Sequence, residues 1–397
     1  MKKSWEIKRL PEVAEYFIGL TYLPKDVSNK GTIVLRSSNI QNDELDLSDL
    51  VRVARPVKEG LIVRKGDILM CSRNGSKRLV GKTALIGNLP EEMTFGTFMT
   101  VIRSTANAYL AWFFKSDAFR EQIGGGENTM INQITKYMLD AIRVPFAPPA
   151  EQQRIVGILN EAFDGVAIAK ANAQKNLQNA RALLESHLQA VFAHRGEGWM
   201  EKMVGEIAKH SLGKMLDRAK NKGVPQPYLR NVNVRWFTFD LSDLLEMRFL
   251  PDEAAKYTAI KGDVLICEGG YPGRAAIWNE DHPIYFQKAL HRVRFDVPEH
   301  NKWFVYFLYV QDMTGKLREH FTGTGIQHFT GEALNRFQLP VAPLPELRRL
   351  VSEFDRLSTE IERLEAIYQQ KLTALEALKK SLLHKAFSGE LEKPNHE

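Results

Sequence analysis

The feature that most constrains the fold of this chain is an internal duplication, in which similar segments recur about 195 residues apart. The strongest pair is Lys-Gly-Asp followed by an apolar run, found at 65–71 and again at 261–267. Trp5 and Trp199, and Val144-Pro145 and Leu339-Pro340, keep nearly the same offset. A near-constant offset over a whole chain is typical of a repeated architecture. The sequence therefore predicts two copies of one structural unit.

Each copy has two parts of different composition. The first part, at 1–148 and 196–343, is rich in glycine, proline and short β-branched or aromatic runs, which predicts an α/β domain. In it, Lys-Gly-Asp is predicted to be a turn that enters a buried strand. The second part, at 149–195 and 344–397, is rich in helix-forming residues and opens with proline and an acidic residue, as helices do. Each copy is thus predicted to be one α/β domain followed by one long helix.

Apolar side chains recur along both long helices in alternating steps of four and three residues, followed by one extra step of four. This spacing is typical of a coiled-coil seam with a stutter, so the two helices are predicted to pack together as an exposed spacer. An amphipathic helix that packs on a globular core is the alternative. The predicted seam residues are Ile155, Leu159, Val166, Leu177, Leu350, Phe354, Leu357, Ile361, Leu364 and Leu372.

Composition excludes several classes of protein and leaves nucleic-acid binding open. A net charge of +6 and a pI near 9.0 permit a polyanionic partner without requiring one. No apolar run approaches the ~18 residues of a membrane span, and the first residues lack the apolar core of a signal peptide. Cys71 and Cys267 have no nearby cysteine, and the histidines lack metal-ligand spacing. We expect a soluble, cytoplasmic protein without a metal site.

The sequence contains no complete catalytic motif, and one stretch only resembles a phosphate-binding loop. Gly75 to Thr83 resembles a P-loop, but five residues separate Gly75 from Gly81, where a phosphate-binding loop has four. The matching segment of the second copy, Gly273 to Ala276, differs in content, so this stretch is interpreted as part of the repeated fold. No methyltransferase, nuclease or helicase motif is found. The chain is therefore predicted to be non-catalytic.

Polar and basic loops at equivalent places in the two copies are candidate DNA contacts. No acidic residue occurs from Ser72 to Pro90, a stretch with four cations, which suits contacts to phosphates and base edges. The segments 128–133 and 323–328 form a second pair, whose amides could contact adenine or equally cap the next helix. A solvated surface loop is the alternative for each. The candidates are Ser38, Asn39, Arg73, Asn74, Lys77, Arg78, Lys82, Asn132, Gln133, Arg230, Asn231, Asn233, Tyr271, Arg274, Gln327 and His328.

Over nearly its whole length the chain resembles the specificity subunit of type I restriction-modification systems. The resemblance is carried by Glu-Gln-Gln-Arg-Ile-Val at 151–156, by the Lys-Gly-Asp turns and by Lys-Ala-Phe-Ser-Gly-Glu-Leu at 385–391. Two departures are visible. Leu347 stands where the family has glutamine, and the first copy lacks the Gly-Thr-Gly-x-Gln form of 323–327.

The resemblance implies an α+β protein in which two target recognition domains are separated by two antiparallel coiled-coil helices with pseudo-twofold symmetry. Each domain would bind one half of a bipartite, asymmetric site on double-stranded DNA. The helices would set the distance between the halves and dock two methyltransferase subunits. S-adenosylmethionine, ATP and magnesium are expected in the methyltransferase and restriction or translocase subunits, with no cofactor in this chain.

Two other functions remain open from the residues alone. One is a coiled-coil adaptor or scaffold whose duplicated modules bind proteins without DNA specificity. The other is a restriction-methylation enzyme with embedded catalysis, which the missing motifs disfavour.

Overall fold

The computed structural model describes residues 5–124, 132–217 and 219–391. The chain separates into two compact units, 1–174 with 368–397 and 175–367. Two helices of 45 residues each, Pro149–Ala193 and Leu344–Ser388, continue from one unit into the other. Each unit therefore contains one globular domain and one half of each long helix.

The first unit has a domain of short strands and helices ahead of the first long helix. Its strands are β1 (Glu6–Arg9), β2 (Glu15–Ile18), β3 (Val27–Ser28), β4 (Thr32–Leu35), β5 (Ile40–Gln41), β6 (Glu44–Leu45), β7 (Val51–Val53), β8 (Ile68–Cys71), β9 (Thr83–Leu85), β10 (Met93–Phe95), β11 (Met99–Arg103) and β12 (Arg143–Phe146). Its helices are α1 (Leu10–Val13), α2 (Asn107–Phe113), α3 (Asp117–Gln122), α4 (Lys136–Ala141) and the long α5 (Pro149–Ala193).

The second unit repeats most of this order, without equivalents of β5 and β6 and with an added short helix between its strands. Its strands are β13 (Met200–Met203), β14 (Ala208–Leu212), β15 (Val224–Leu229), β16 (Leu245–Phe249), β17 (Thr258–Ala259), β18 (Val264–Cys267), β19 (Ala275–Ile277), β20 (Ile284–Phe286), β21 (Leu290–Phe295) and β22 (Gln338–Val341). Its helices are α6 (Val204–Ile207), α7 (Ala254–Tyr257), α8 (His300–Met313), α9 (Gly331–Arg336) and the long α10 (Leu344–Ser388).

Sheet topology shows that the two units are copies. An antiparallel sheet has the order β2-β11-β8-β9 in the first unit and β14-β21-β18-β19 in the second. A second sheet contains one parallel pair in each unit, β10 with β4 and β20 with β15. The sheets differ at an edge, because β3 extends the first beside β7 and β17 extends the second beside β20. A short antiparallel pair, β1 with β12 or β13 with β22, completes each domain.

The Lys-Gly-Asp segments form the turn that the sequence predicts. Gly66 and Gly262 adopt left-handed φ values of 88° and 92°, which favour glycine. The buried Asp67 carboxylate accepts hydrogen bonds from Arg103 Nε at 2.8 Å and Nη2 at 2.7 Å, and Asp263 is bound in the same way by Arg294. The strands that follow are fully buried. The predicted turn into a buried strand is therefore confirmed in both copies.

We expect both cysteines to be inert in the native protein. Cys71 and Cys267 end two of these buried strands, and burial raises the pKa of each thiol to about 11. Because the thiolate is the reactive form, an aromatic disulfide reagent at pH 8 is expected to modify neither side chain until denaturant is added. Rapid labelling of the folded protein would show that these strands open readily.

The long helices begin where proline and acidic residues predict, at Pro149 and Leu344. Near the helix ends the seam side chains join the domain cores, so Ile155 and Leu159 pack in a cluster with Phe387. Phe354 lies 5.1 Å from the Tyr306 ring. Near the helix ends, the same apolar face therefore contacts both a domain core and the other helix. The buried seam residues are Ile155, Leu159, Val166, Leu350, Phe354 and Ile361, and the half-buried ones are Leu177, Leu357, Leu364 and Leu372.

Ion pairs show that the two helices run antiparallel. In the first unit, Arg154 donates to the carbonyl of Leu391 at 3.1 Å, and Lys170 Nζ lies 2.9 Å from Glu376 Oε1. In the second unit, Arg181 contacts Glu365. At the repeat offset of about 195 residues, the last two pairs are equivalent with the charges exchanged. Each unit therefore contains an equivalent pair of antiparallel helix segments joined by an ion pair.

No helix in the described ranges has the length and apolar content of a membrane-spanning segment. Within the same residues, no group of three histidine, cysteine or acidic side chains could hold a metal ion.

Candidate nucleic-acid interface

Three chain segments meet at one corner of the first unit. They are the segment after β4 (36–39), the loop after β8 (72–82) and the segment before α4 (132–134). Asn74 Nδ2 donates to Ser37 Oγ at 2.9 Å, which joins the first two. The amide of Ile134 donates to the carbonyl of Ser72 at 2.7 Å, which joins the last two. The candidate residues of the first copy, scattered in sequence, are therefore gathered at one place.

The same three segments meet in the second unit. They are 230–233 after β15, 268–274 after β18 and 322–328 before α9. Asn231 Nδ2 donates to the carbonyl of Gly269 at 3.1 Å. The amide of Phe329 donates to the carbonyl of Glu268 at 2.7 Å, which matches the Ile134 bond of the first unit. The framework is therefore repeated while the side chains on it differ.

The stretch that resembles a P-loop is closed in the same way in both units. Gly81 and Gly273 have φ values of 86° and 85°, and each amide donates to the carbonyl of the preceding cysteine, at 2.8 and 2.9 Å. The glycine thus closes a loop back onto its own strand. This geometry accounts for Gly81 without a nucleotide.

The first loop presents a cluster of cations. Lys77 and Arg78 lie exposed on a 3-10 turn, and among the described residues neither has an ion-pair partner. The exposed Arg73 guanidinium lies 5.3 Å from the centre of the Phe98 ring, which positions it by a cation–π contact. Lys82 is half-buried and its ammonium donates to the carbonyl of Ile40 at 3.3 Å. Three of the four predicted cations are therefore free to contact phosphates.

The second loop presents an aromatic side chain with one cation. Tyr271 is 47% exposed, and the Arg274 guanidinium lies 4.7 Å from its ring centre. Arg274 also donates to the carbonyl of Asn231 at 3.0 Å. This pair offers stacking and hydrogen bonding where the first unit offers charge.

The structure assigns Asn39 and Asn233 a structural role in place of the predicted DNA contact. The Asn39 amide oxygen accepts from the Arg36 amide at 2.8 Å, and its nitrogen donates to the carbonyls of Asp46 and Asp49, both at 2.9 Å. Asn233 makes the equivalent three bonds. Both side chains are buried, so neither offers a donor to a base edge.

Replacing Asn39 with alanine is expected to lower the free energy of unfolding by about 2 kcal/mol, because three backbone groups lose the hydrogen-bond partner that this buried side chain provides. Urea titration measures this, with the exposed Asn88→Ala variant as a control that should stay within about 0.5 kcal/mol of wild type. If Asn39→Ala were as stable as the control and bound a different DNA sequence, a base-contacting role would be restored.

The other candidates divide by exposure. The Arg230 guanidinium is held by Asp243 at 2.7 Å, and Ser38 is half-buried with its hydroxyl inside. Asn132, Gln133 and Gln327 are exposed, His328 is half-buried, and 128–131 lie outside the described residues. The backbones of Thr322 and His328 exchange two hydrogen bonds of 2.9 Å, which closes a loop with 323–327 at its tip.

Exposed apolar and aromatic side chains also lie on this surface, although the sequence predicts only residues of polar and basic loops. Ile326 is 75% exposed at the tip of the closed loop, and Phe98 is half exposed beneath Arg73. Tyr137, at 86% exposure, lies on α4 in the lining of a cleft that also contains Arg73 and Gln133. Gly323 and Gly325, which precede Ile326, are a weak sequence signal for such a tip.

This arrangement defines a class of protein in which two copies of one recognition fold share a pair of antiparallel helices. Residues 2–179 and 196–374 match the family described as "Type I restriction modification DNA specificity domain". The chain therefore belongs to the family of type I restriction-modification DNA specificity domains, once in each repeat. This membership confirms the predicted DNA specificity and the non-catalytic role, and it does not support an adaptor without DNA specificity.

Two relatives match this chain over nearly its whole length. The chain is 25% identical to the type I restriction enzyme EcoKI specificity subunit of Escherichia coli (strain K12), covering 98% of this chain and 90% of that protein. Identity and coverage are the same for the StySPI specificity subunit of Salmonella potsdam.

Two solved structures share the fold. One, from work on complex assembly and conformational transition of the type I R-M system, has a TM-score of 0.79 at 19% identity and covers 98% of this chain and 99% of its own. The HsdS subunit from Thermoanaerobacter tengcongensis has a TM-score of 0.64 at 20% identity, with 98% of each chain covered.

Proposed function

We propose that this chain reads a bipartite, asymmetric site on double-stranded DNA, with one half-site bound by the three converging segments of each unit. The observation that carries the proposal is the repeated framework with different side chains upon it. Exposed cations dominate the first corner, whereas Tyr271 with Arg274 and the Gly323–Gln327 tip occupy the second. Two different recognition surfaces on one framework suit two unlike half-sites.

The paired helices are proposed to fix the spacing of the half-sites and to dock two methyltransferase subunits, through which restriction or translocase subunits join. The target recognition domains are proposed to span 1–148 and 196–343, and the spacer helices 149–195 and 344–397. A stiff coiled coil suits a gap of fixed length better than a flexible linker does. S-adenosylmethionine, ATP and magnesium would act in the partner subunits, and the assembly would work in the cytoplasm.

Reconstitution with the methyltransferase subunits tests this function. Single-molecule sequencing of DNA modified by the complex is expected to show two short specified blocks separated by a gap of fixed length. The Tyr271→Ala/Arg274→Ala variant should relax one block and leave the other unchanged. A single continuous motif, or a motif that does not depend on this chain, would contradict the proposal.

A further inference from the structure

A cleft of about 360 Å³ lies between the first domain and the paired helices, all within the first unit. Its walls come from the end of the loop after β8, from the turn between α2 and α3, from α3, and from the long helices α5 and α10. Its lining contains five cationic side chains and three carboxylates, which are Lys82, Lys115, Arg120, Lys379 and Lys380 with Asp43, Asp117 and Glu376.

Two of the three carboxylates already have partners. Asp43 lies 3.7 Å from Lys115 Nζ. Glu376 is bound by Lys170, which stands outside the cleft, at 2.9 Å. That hydrogen bond, together with the nearby charges of Lys379 and Lys380, lowers the pKa of Glu376 and keeps it ionised.

Three of the cations have no such partner. Arg120 and Lys380 are exposed, and within the described ranges no acidic side chain pairs with Arg120, Lys379 or Lys380. The Lys379 ammonium lies 5.2 Å from the centre of the Phe163 ring, which fixes its stem along the cleft wall. The cleft therefore has positive charge that the protein itself does not neutralise.

The second unit shows that the repeated fold does not require this charge. Asn107 and Asn301 make the same bond to the turn glycine, at 2.5 and 2.9 Å, and their alignment places Tyr309 opposite Lys115. On the helices, Leu184 and Glu185 stand at the positions of Lys379 and Lys380.

Aromatic side chains occupy that equivalent place. Tyr309 donates to Glu185 at 3.0 Å, and its ring lies 5.3 Å from Trp236 and 5.1 Å from Phe237. Burial, reinforced by the Glu185 charge, raises the pKa of Tyr309 to about 12, so the phenol stays neutral. The open cationic cleft is thus a property of the first unit.

We propose that this cleft binds the DNA backbone, and takes phosphodiester groups that lie outside the half-site read by the loops. Its rim includes Gly81 and Lys82, which end the loop that presents Arg73, Lys77 and Arg78. One strand of DNA held by that loop can therefore continue over Lys82 toward Lys379 and Lys380. The inference rests on the proposed function, and it adds an anchoring site that the second unit lacks.

Contacts of this kind position the duplex without reading its sequence. Removing them should weaken specific and non-specific binding by the same factor and leave the methylated motif unchanged. Each lost phosphate contact should also lower the slope of log K against log salt by about 0.9.

The test compares the wild-type complex with an Arg120→Gln/Lys379→Gln/Lys380→Gln variant, assembled with its methyltransferase subunits. Binding to a duplex with the mapped target and to a scrambled duplex is measured from ~50 to ~300 mM KCl. We expect affinity to fall on the order of tenfold for both duplexes and the salt slope to decrease by about 2 to 3. The Lys175→Gln/Lys371→Gln variant is the control for the two helix lysines, because it removes two exposed lysines of the long helices that lie outside the cleft lining.

Two single variants guard against misfolding. Lys380→Glu places at this exposed position the glutamate that the second unit has at Glu185, and it should reduce the slope of log K against log salt. Lys380→Arg keeps the positive charge and should leave that slope unchanged. If the slope of log K against log salt is unchanged in both the triple variant and Lys380→Glu, the inference is overturned. It is also overturned if these variants lose their methyltransferase subunits while the fraction that still assembles binds DNA normally. A wild-type complex that shows no preference for its target would instead overturn the proposed function.

Discussion

Replacing Arg73, Lys77 and Arg78 together with alanine is expected to weaken binding of the complex to its target DNA by roughly a hundredfold at ~0.1 M salt. The three side chains are exposed and lie on one loop, where no acidic residue occurs from 72 to 90. Electrostatic contacts to phosphates release counterions, so the slope of log K against log salt should also decrease by about 3. Fluorescence anisotropy over a salt series measures both quantities.

Two double variants that remove the same charge at different places show whether DNA binding depends on the position of these cations or only on net charge. Lys77→Ala/Arg78→Ala and Arg64→Ala/Lys65→Ala each remove one lysine and one arginine, from opposite ends of strand β8. We expect the first to lose most of the salt dependence attributed to the loop and the second to bind like wild type. Equal losses would mean that net charge alone controls binding and that the loop is not at the DNA.

The two repeats explain why part of this site was predictable from the sequence and part was not. Their near-constant offset identifies equivalent positions, and the structure places the predicted loops together in both units. The bonds that gather them are mostly between backbone groups or between a backbone group and a short side chain, as in Ile134 to Ser72. Such bonds leave no pattern in a sequence, so the convergence of three separate segments could not be deduced.

Residues that are identical at equivalent positions of the two repeats support the fold more often than they face the DNA surface. Asn39 and Asn233 are the same residue at equivalent positions, and both are predicted to contact DNA, yet both side chains are buried and bond to the backbone. Asp67 and Asp263, also identical, hold the turn into a buried strand. The exposed positions are the ones that differ, such as Lys77 in the first unit and Tyr271 in the second. Within a duplicated fold, the framework repeats and the contacts with the ligand diverge.

Lengthening both spacer helices by four residues is expected to lengthen the gap in the methylated motif by about one to two base pairs. The insertions are placed after Gln174 and Gln369, which are equivalent in the repeat and lie at or beside the boundary between the two units. Four residues add about 6 Å at ~1.5 Å each, and a base pair spans ~3.4 Å. Methylome mapping of the reconstituted variant reads the gap directly, with the two specified blocks unchanged.

The choice of four residues provides its own control. Four residues turn a helix by about 400°, close to one full turn, so seam residues such as Val166 and Ile361 still face the partner helix. Two residues turn it by about 200° and direct the following seam residues into solvent, so that variant should lose helix pairing and methylation together. If the four-residue variant methylates its original motif with an unchanged gap, the helices do not set the spacing, and that distance must then be fixed by the partner subunits.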